Sequence, residues 1–325
     1  MRVECLTSLD HDQSRAVRAL AERAARTDGT TPLSEHVLLH IRHGGPPSEA
    51  GAAAHLLAYD GTDVAGYAHL ERGSAGEPAT AEIVVDPGHR RRGAGRALVG
   101  ALLGEASDLR LWSHGHLESA RAFAARDGFT SVRELWQMRR PLGDPAESGA
   151  PPLPAPRLPE GFSARPFVVG QDEDAWLAVN ARAFAEHPEQ GRMMRADLEQ
   201  RIAEPWFDPA GFILVDDVRD ASRPRLAAFH WTKVHAHESG AAGNGQPSHP
   251  PVGEVYVVGV DPAYQGLGLG TAVTVLGLAH LQDKGLTEAM LYVDGDNAAA
   301  VATYRKLGFQ RSDVDVMYSR ARPAR

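Results

Sequence analysis

One alternation of apolar and polar positions occurs twice along the chain. In the first copy the apolar run Ile83-Val84-Val85 is broken by Asp86-Pro87. The segment Arg90-Arg91-Arg92-Gly93-Ala94-Gly95 then leads into Leu98, Ala101, Leu102 and Glu105, spaced three and four apart. In the second copy Val258-Gly259-Val260 is followed by Asp261-Pro262, then by Gln265-Gly266-Leu267-Gly268-Leu269-Gly270-Thr271 and an apolar-periodic segment over 269–283. Each pattern predicts a strand, a turn and a core-facing helix. Both copies close, after a further strand and helix, on Gly-Phe: Gly128-Phe129 and Gly308-Phe309.

The remaining periodicity fills in the same plan on both sides. Residues 16–26 read as a helix, and 55–59 and 64–70 as strands around an Asp60-Gly61 turn. Farther on, 211–216, 225–234, 254–260 and 290–293 read as strands. Asp296 is a suitable N-cap for a helix through Lys306, which Gly308 would end. Residues 143–160 carry Pro145, Pro151, Pro152, Pro154, Pro156 and Pro159 among small residues, the composition of a semi-extended linker. The expectation is an α/β fold with mixed sheets in two tandem domains, 1–142 and 161–325. The Gly-, His-, Pro- and Ser-rich stretch 236–251 is expected to be a long exposed hairpin loop.

Composition narrows the class. The chain of 325 residues is 43% hydrophobic and 23% charged, with a net charge of −8 that argues against a nucleic-acid partner. The single cysteine, Cys5, excludes an internal disulfide framework and suits a reducing compartment, so the cytoplasm is expected. No apolar run approaches the ~18 residues of a membrane span, and no signal core is expected at the start. His36, His40 and His43 have helical spacing, but Gly44-Gly45-Pro46-Pro47 follows at once and no cysteine or carboxylate cluster completes a site. They are expected to be solvated and metal-free, as are His114, His116, His235, His237 and His249.

The glycines after each Asp-Pro turn let several backbone N–H groups point into one concavity at a helix N-terminus, which suits a phosphate. Neither copy has Gly-x-Gly-x-x-Gly spacing or a Gly-Lys-Ser/Thr, so dinucleotide and Walker loops are excluded. In the second copy Gly266 and Leu267 stand where the first has Arg91 and Arg92, so binding there rests on backbone N–H groups and the helix dipole.

The order of these parts resembles the GCN5-related N-acetyltransferase family, which implies an acetyl-CoA-dependent acyltransferase with the pyrophosphate on such a loop. It implies acetyl-CoA contacts at Ile83, Val84, Val85, Arg90, Arg91, Arg92, Gly93, Ala94 and Gly95 in the first half. In the second half it implies Val258, Gly259, Val260, Gln265, Gly266, Leu267, Gly268, Leu269, Gly270 and Thr271, then Asn297, Ala298, Ala299, Ala300, Val301 and Ala302. The glycine of Val258-Gly259-Val260 marks a bulge or a close backbone approach.

Acetyl transfer to an amine needs a proton acceptor, a polarised thioester and a donor for the departing thiolate. Glu254, in an otherwise apolar strand, is a candidate general base, direct or through water; by pattern alone a strand-end carboxylate in solvent is the lesser alternative. A raised pKa would help it in that role. Asn297 and Tyr304 lie seven apart on one helix face. The resemblance implies Tyr304 as general acid, and spacing alone leaves a core tyrosine equally open. The first half has Ala79, Leu117 and Ala124 where the second has Glu254, Asn297 and Tyr304. Its Glu82 has a different offset, so the first domain reads as a nucleotide-binding or structural partner of a catalytic second domain.

The stretches 187–191, 229–235, 253–257 and 291–309 are similar to a tandem branch of that family found in actinobacteria. Its members acetylate the cysteinyl amine of a cysteinyl-glucosaminyl-inositol. This similarity implies substrate contacts at Glu35, Glu189, Lys233, Glu254 and Tyr292, residue types suited to hydroxyls and an ammonium; taken singly, Glu189 and Lys233 are ordinary surface charges. The rivals are a tandem acetyltransferase for a protein N-terminus or an aminoglycoside, and a non-catalytic acyl-CoA sensor. A monomer acting on two small molecules, with no metal, is expected.

Overall fold

The computed structural model describes residues 1–44, 53–73, 77–143, 149–235 and 250–320, with the side chains of residues 188 and 189 left aside. The chain divides into two compact units. The first holds Met1–Trp136, Asp294–Asp296 and the residues from Asp313 on; the second holds Gln137–Val293 and Asn297–Ser312.

In the first unit α1 (His11–Asp28) starts where Asp10 and Gln13 cap each other's backbone N–H groups, at 2.8 and 3.0 Å, and stops at Gly29 with φ of 75°. The helix α2 (Glu35–His43) starts at Ser34. The sheet runs β1 (Arg2–Leu6), β2 (Ala53–Asp60), β3 (Asp63–Glu71), β4 (Ala79–Val85) and β5 (Leu109–Ser113). All neighbours are antiparallel except β4–β5. Alternate residues face opposite sides. Leu57, Tyr67 and Val84 pack on Val17, Leu20 and Ala24 of α1 and on Val37 and Ile41 of α2. Leu56, Ala68, Leu70 and Ala81 pack on Leu98, Val99 and Leu102 of α3 (Ala94–Glu105). Glu105, expected in that stripe, is exposed and bonds Arg72 at 2.6 Å, because the apolar stripe ends one turn earlier. After β5 come α4 (Glu118–Arg126) and β6 (Thr130–Pro141).

The second unit repeats the plan with β7 (Phe162–Pro166), β8 (Phe212–Asp217), β9 (Arg225–His235), β10 (Val252–Val260) and β11 (Glu288–Asp294), antiparallel except β10–β11. On one face Trp176 of α5 (Glu173–Ala183) meets Phe212, Phe229 and Trp231, all edge-on within 5.7 Å. The short helices α6 (Pro188–Gly191) and α7 (Arg195–Ile202) follow α5. The other face receives Leu269 and Val273 of α8 (Leu269–Asp283) against Val215, Ala227 and Ala228. The chain ends in α9 (Ala298–Lys306) and β12 (Gln310–Arg320). The N-cap of α9 is Asn297 rather than Asp296: its side chain accepts the Ala300 N–H at 3.1 Å. Gly308, with φ of 88°, ends the helix as expected.

The units do not follow a linear cut at residue 142. From Asp313 on, the last strand belongs to the first unit, where it pairs with β5 from Val316 opposite Ser113 to Arg320 opposite Leu109. Residues 137–142 serve the second unit instead: Arg139 bonds Glu288 at 2.5 Å and the Leu142 N–H donates to Thr287 O at 2.8 Å. Residues 149–159 form no helix or strand, while 144–148 and most of the expected 236–251 loop lie outside the described residues. Among the described residues, no helix is long and apolar enough to cross a membrane.

Candidate active site

The centre of the second unit is an irregularity in β10. Val255 pairs with Thr232 and Val257 with Trp231, so Tyr256 is the extra residue of a β-bulge. The parallel ladder to β11 covers only Gly253–Val255 against Ala289–Leu291. Beyond it, the β11-facing edge of residues 257–260 has no ladder partner among the described residues. A ligand's amide arm can take those backbone groups. The bulge lies at Tyr256, and Gly259 marks the close approach: a methyl there would stand 2.5 Å from the Phe229 ring.

Glu254 is buried one residue before the splay begins, with Lys233 directly opposite on β9. His235 lies on the diagonal of the same pair, its Nε2 2.6 Å from Glu254 Oε2. Lys233 is also buried, its ammonium 4.8 Å from the Trp206 ring centre and 5.2 Å from that of Tyr256. The Tyr256 hydroxyl accepts from Arg201 Nε at 2.9 Å. Burial pushes the Glu254 carboxyl up, but the His235 bond and the charges of His235 and Lys233 outweigh it and hold the group below its ordinary value. The help expected from a raised pKa is absent: Glu254 is an anion at neutral pH, ready to accept a proton. Tyr292 lies two residues beyond Met290, the β11 neighbour of Glu254; it is exposed and accepts from Gln137 Nε2 at 3.1 Å.

Tyr304 is half-buried on α9, its ring 5.8 Å from that of Phe309. Burial pushes its hydroxyl up to about 12, so it keeps its proton at neutral pH. Glu189 lies in α6, and Glu35 opens α2 in the first unit.

The phosphate loop of the second unit has Gly266 and Gly268 at φ of 81° and 79°, and α8 starts without a side-chain cap. The first helical bond runs from the Ala272 N–H, leaving the N–H groups of Leu269, Gly270 and Thr271 for an anion. Asp261 anchors the turn: it accepts the Ala263 N–H at 2.9 Å and binds Arg182 of α5 at 2.6 Å. The first unit repeats this with Asp86, the Gly88 N–H at 2.9 Å and Arg23 of α1 at 2.6 Å. Its α3 likewise starts uncapped at Gly93, with φ of 95°. Arg91 there adopts φ of 64°, where the second loop has Gly266. Arg90, expected at the pyrophosphate, bonds Asp28 with both its terminal nitrogens, at 2.7 and 2.6 Å.

Several histidines depart from the solvated expectation. His235 faces Glu254, as above. His114 is held between Asp315 at 2.9 Å and Glu82 at 3.4 Å, while Glu82 also accepts the Ser34 N–H at 2.6 Å. Burial would lower the His114 imidazole, but the two carboxylates raise it to about 10. His40 is buried beside His55 and His69. His237 and His249 lie outside the described residues. Sequence reasoning missed His235, Trp206, Tyr256 and Arg201. The one available signal was that His235 stands two residues beyond Lys233 in an alternating strand, hence on the same face.

Residues 173–309 match the acetyltransferase (GNAT) family and residues 51–131 an acetyltransferase (GNAT) domain. The mycothiol acetyltransferase of Thermobispora bispora is 52% identical over 306 residues, covering 94% of this chain and 95% of its own. That of Streptomyces coelicolor is 51% identical over 317 residues, covering 97% and 94%. A tandem GNAT protein from the clavulanic acid biosynthesis pathway shares the fold with a TM-score of 0.67 at 19% identity, over the whole of both chains. A GCN5-related N-acetyltransferase from Sphaerobacter thermophilus does so with a TM-score of 0.63 at 22% identity, covering 99% of this chain and 97% of that one. With two such domains, and half its residues identical to these relatives over nearly full length, the chain belongs to the mycothiol acetyltransferases of the GNAT family.

Proposed function

We propose that the second unit transfers the acetyl group of acetyl-CoA to the cysteinyl amine of a cysteinyl-glucosaminyl-inositol, giving mycothiol and CoA. The observation that carries the reading is the contact of buried Glu254 with the partly exposed His235, at the point where β10 bulges away from its ladder. An α-amine has a pKa of about 7.7–8.0, so a useful share is neutral at pH 7. Its nitrogen attacks the thioester carbon while the splayed backbone of residues 258–260 donates to the oxygen that gains charge. The C–N bond forms, the nitrogen proton passes to Glu254 directly or through water, and the C–S bond breaks. Tyr304 meets the leaving sulfur with its proton in place. A thiol is a stronger acid, at about 8.5, than a phenol near 12, so the hydroxyl serves first as a hydrogen-bond donor to the thiolate.

Lys233, held over Trp206 and Tyr256, and Tyr292, on the Glu254 side of β11, are assigned to the sugar hydroxyls. The pyrophosphate is assigned to the α8 N-terminus, and Asn297–Ala302 to the rest of CoA. The first unit keeps an uncapped helix N-terminus but has alanine at positions 79 and 124, and is assigned a binding or structural role. The division into a catalytic second unit and a supporting first one is part of the same reading, as are a cytoplasmic setting and action as a monomer.

The test is CoA release by the purified chain with acetyl-CoA and the thiol-sugar, against cysteine, an aminoglycoside and an N-terminal peptide. Strong preference for the thiol-sugar, with an N-acetyl product by mass, is expected. Turnover with another acceptor only would remove the acceptor assignment, and tight CoA binding without any turnover would favour a sensor.

A further inference from the structure

One side-chain cluster in the first unit takes no part in this chemistry. His36 and His40 lie one turn apart on α2, and His69 and Glu71 lie two apart on β3, so each pair shares a face. One ring nitrogen from each of His36, His40 and His69 falls within 4.8 Å of the others. The Glu71 carboxylate sits among them, 2.7 Å from His36 Nε2 and 3.6 Å from His69 Nε2. His40 and His69 are buried, whereas the side chains of His36 and Glu71 are each 41% exposed, so the cluster has a closed floor and a wet mouth.

A second layer orients the floor. Tyr67 Oη lies 3.4 Å from His69 Nδ1 and 2.8 Å from His55 Nδ1. The shorter of the two contacts, to His55 Nδ1, is the one that takes the hydroxyl proton. The Tyr67 hydroxyl then donates to His55 and accepts from His69 Nδ1–H. That tautomer leaves the Nε2 lone pair of His69 aimed at the cluster, where Nε2 is buried and makes no hydrogen bond among the described residues. An outer partner that fixes the ring and leaves the other nitrogen free is the arrangement of a metal-ligating histidine.

We infer that His36, His40 and His69, with Glu71 as fourth donor, form a binding site for a zinc-class divalent cation that ties α2 to the sheet. Three neutral imidazoles and one carboxylate select such a cation over magnesium or calcium. Tetrahedral zinc with bonds of about 2.0–2.1 Å needs donors about 3.3 Å apart, so the three histidine nitrogens must draw together by up to about 1.5 Å, while Glu71 and His36, now 2.7 Å apart, must part slightly. His36 and Glu71, at the exposed mouth, are the side chains able to do so.

The experiment is calorimetric titration of the tag-free, chelator-treated full chain with zinc, with cobalt(II) absorption as the geometric readout. One zinc per chain, a four-coordinate cobalt spectrum and a rise in Tm on zinc addition are expected. His36→Ala and Glu71→Gln should each weaken binding at least tenfold while keeping the metal-free Tm, and His43→Ala should bind as the parent does. Absence of saturable binding, an octahedral cobalt spectrum, or unchanged affinity in both His36→Ala and Glu71→Gln would overturn the site.

Discussion

His235 Nε2 stands 2.6 Å from Glu254 Oε2 across a diagonal of β9 and β10, and this contact sets the charge of the proposed base. A carboxyl held below its ordinary value is ionised throughout the neutral range. The acid limb of kcat/KM should therefore follow the substrate amine, at about 7.7–8.0, and not Glu254. In His235→Ala only Lys233 opposes the burial, so the Glu254 pKa rises. Losing a hydrogen bond to a charged group costs about 1.5–3 kcal/mol, or roughly 10–100-fold in kcat/KM. A second acid limb should appear in the pH profile. An unchanged profile would make His235 a bystander.

Tyr304 offers a cleaner separation of chemistry from packing. Its hydroxyl has no hydrogen-bond partner among the described residues, so Tyr304→Phe leaves no buried group stranded. We expect kcat to fall roughly tenfold or more, with acetyl-CoA affinity and Tm unchanged. A drop in Tm at constant kcat would return the residue to the core.

What the sequence disclosed and what it hid have physical reasons. The strands and helices that carry Glu254, Tyr304 and the glycine loops follow from local periodicity, and α8 matches residue for residue. Pairing between distant segments has no such signature. That β12 joins β5, or that residues 137–142 serve the second unit, depends on partners far apart in the chain. The same holds for side chains: His114 looks like a loop histidine until Glu82 and Asp315 close on it. Asp86 and Asp261 were visible as a repeat, but their partners Arg23 and Arg182 lie on helices whose faces meet the turn only in three dimensions.

The His114 triad predicts a pH signature in stability. Its imidazole is raised to about 10 from an ordinary value near 6.5. A raised group stabilises fully below its unfolded value, and that contribution is lost as the pH climbs through the folded one. His114→Ala should cost about 3–5 kcal/mol near pH 6, because two buried carboxylates lose their cation. The gap between parent and variant should narrow between about pH 6.5 and 10, as read by urea unfolding. A gap independent of pH would contradict the triad.

Gly259 ties the splayed strand to the core. A methyl there meets Phe229 at 2.5 Å and Ala183 at 3.3 Å. Gly259→Ala should lower stability by about 1–3 kcal/mol and weaken acetyl-CoA binding, as β10 shifts toward the ladder gap. Thermal unfolding and calorimetric titration report both effects, and an unaffected Tm would mean the close approach is relieved at no cost.

The central claim is that Glu254 accepts the amine proton in the second unit. Its most direct test is single-turnover acetyl transfer by Glu254→Gln, with acetyl-CoA affinity measured on the same protein. The account predicts a chemical step slowed by roughly 10²–10⁴-fold, with acetyl-CoA bound as tightly as by the parent. Transfer at the parental rate would contradict it.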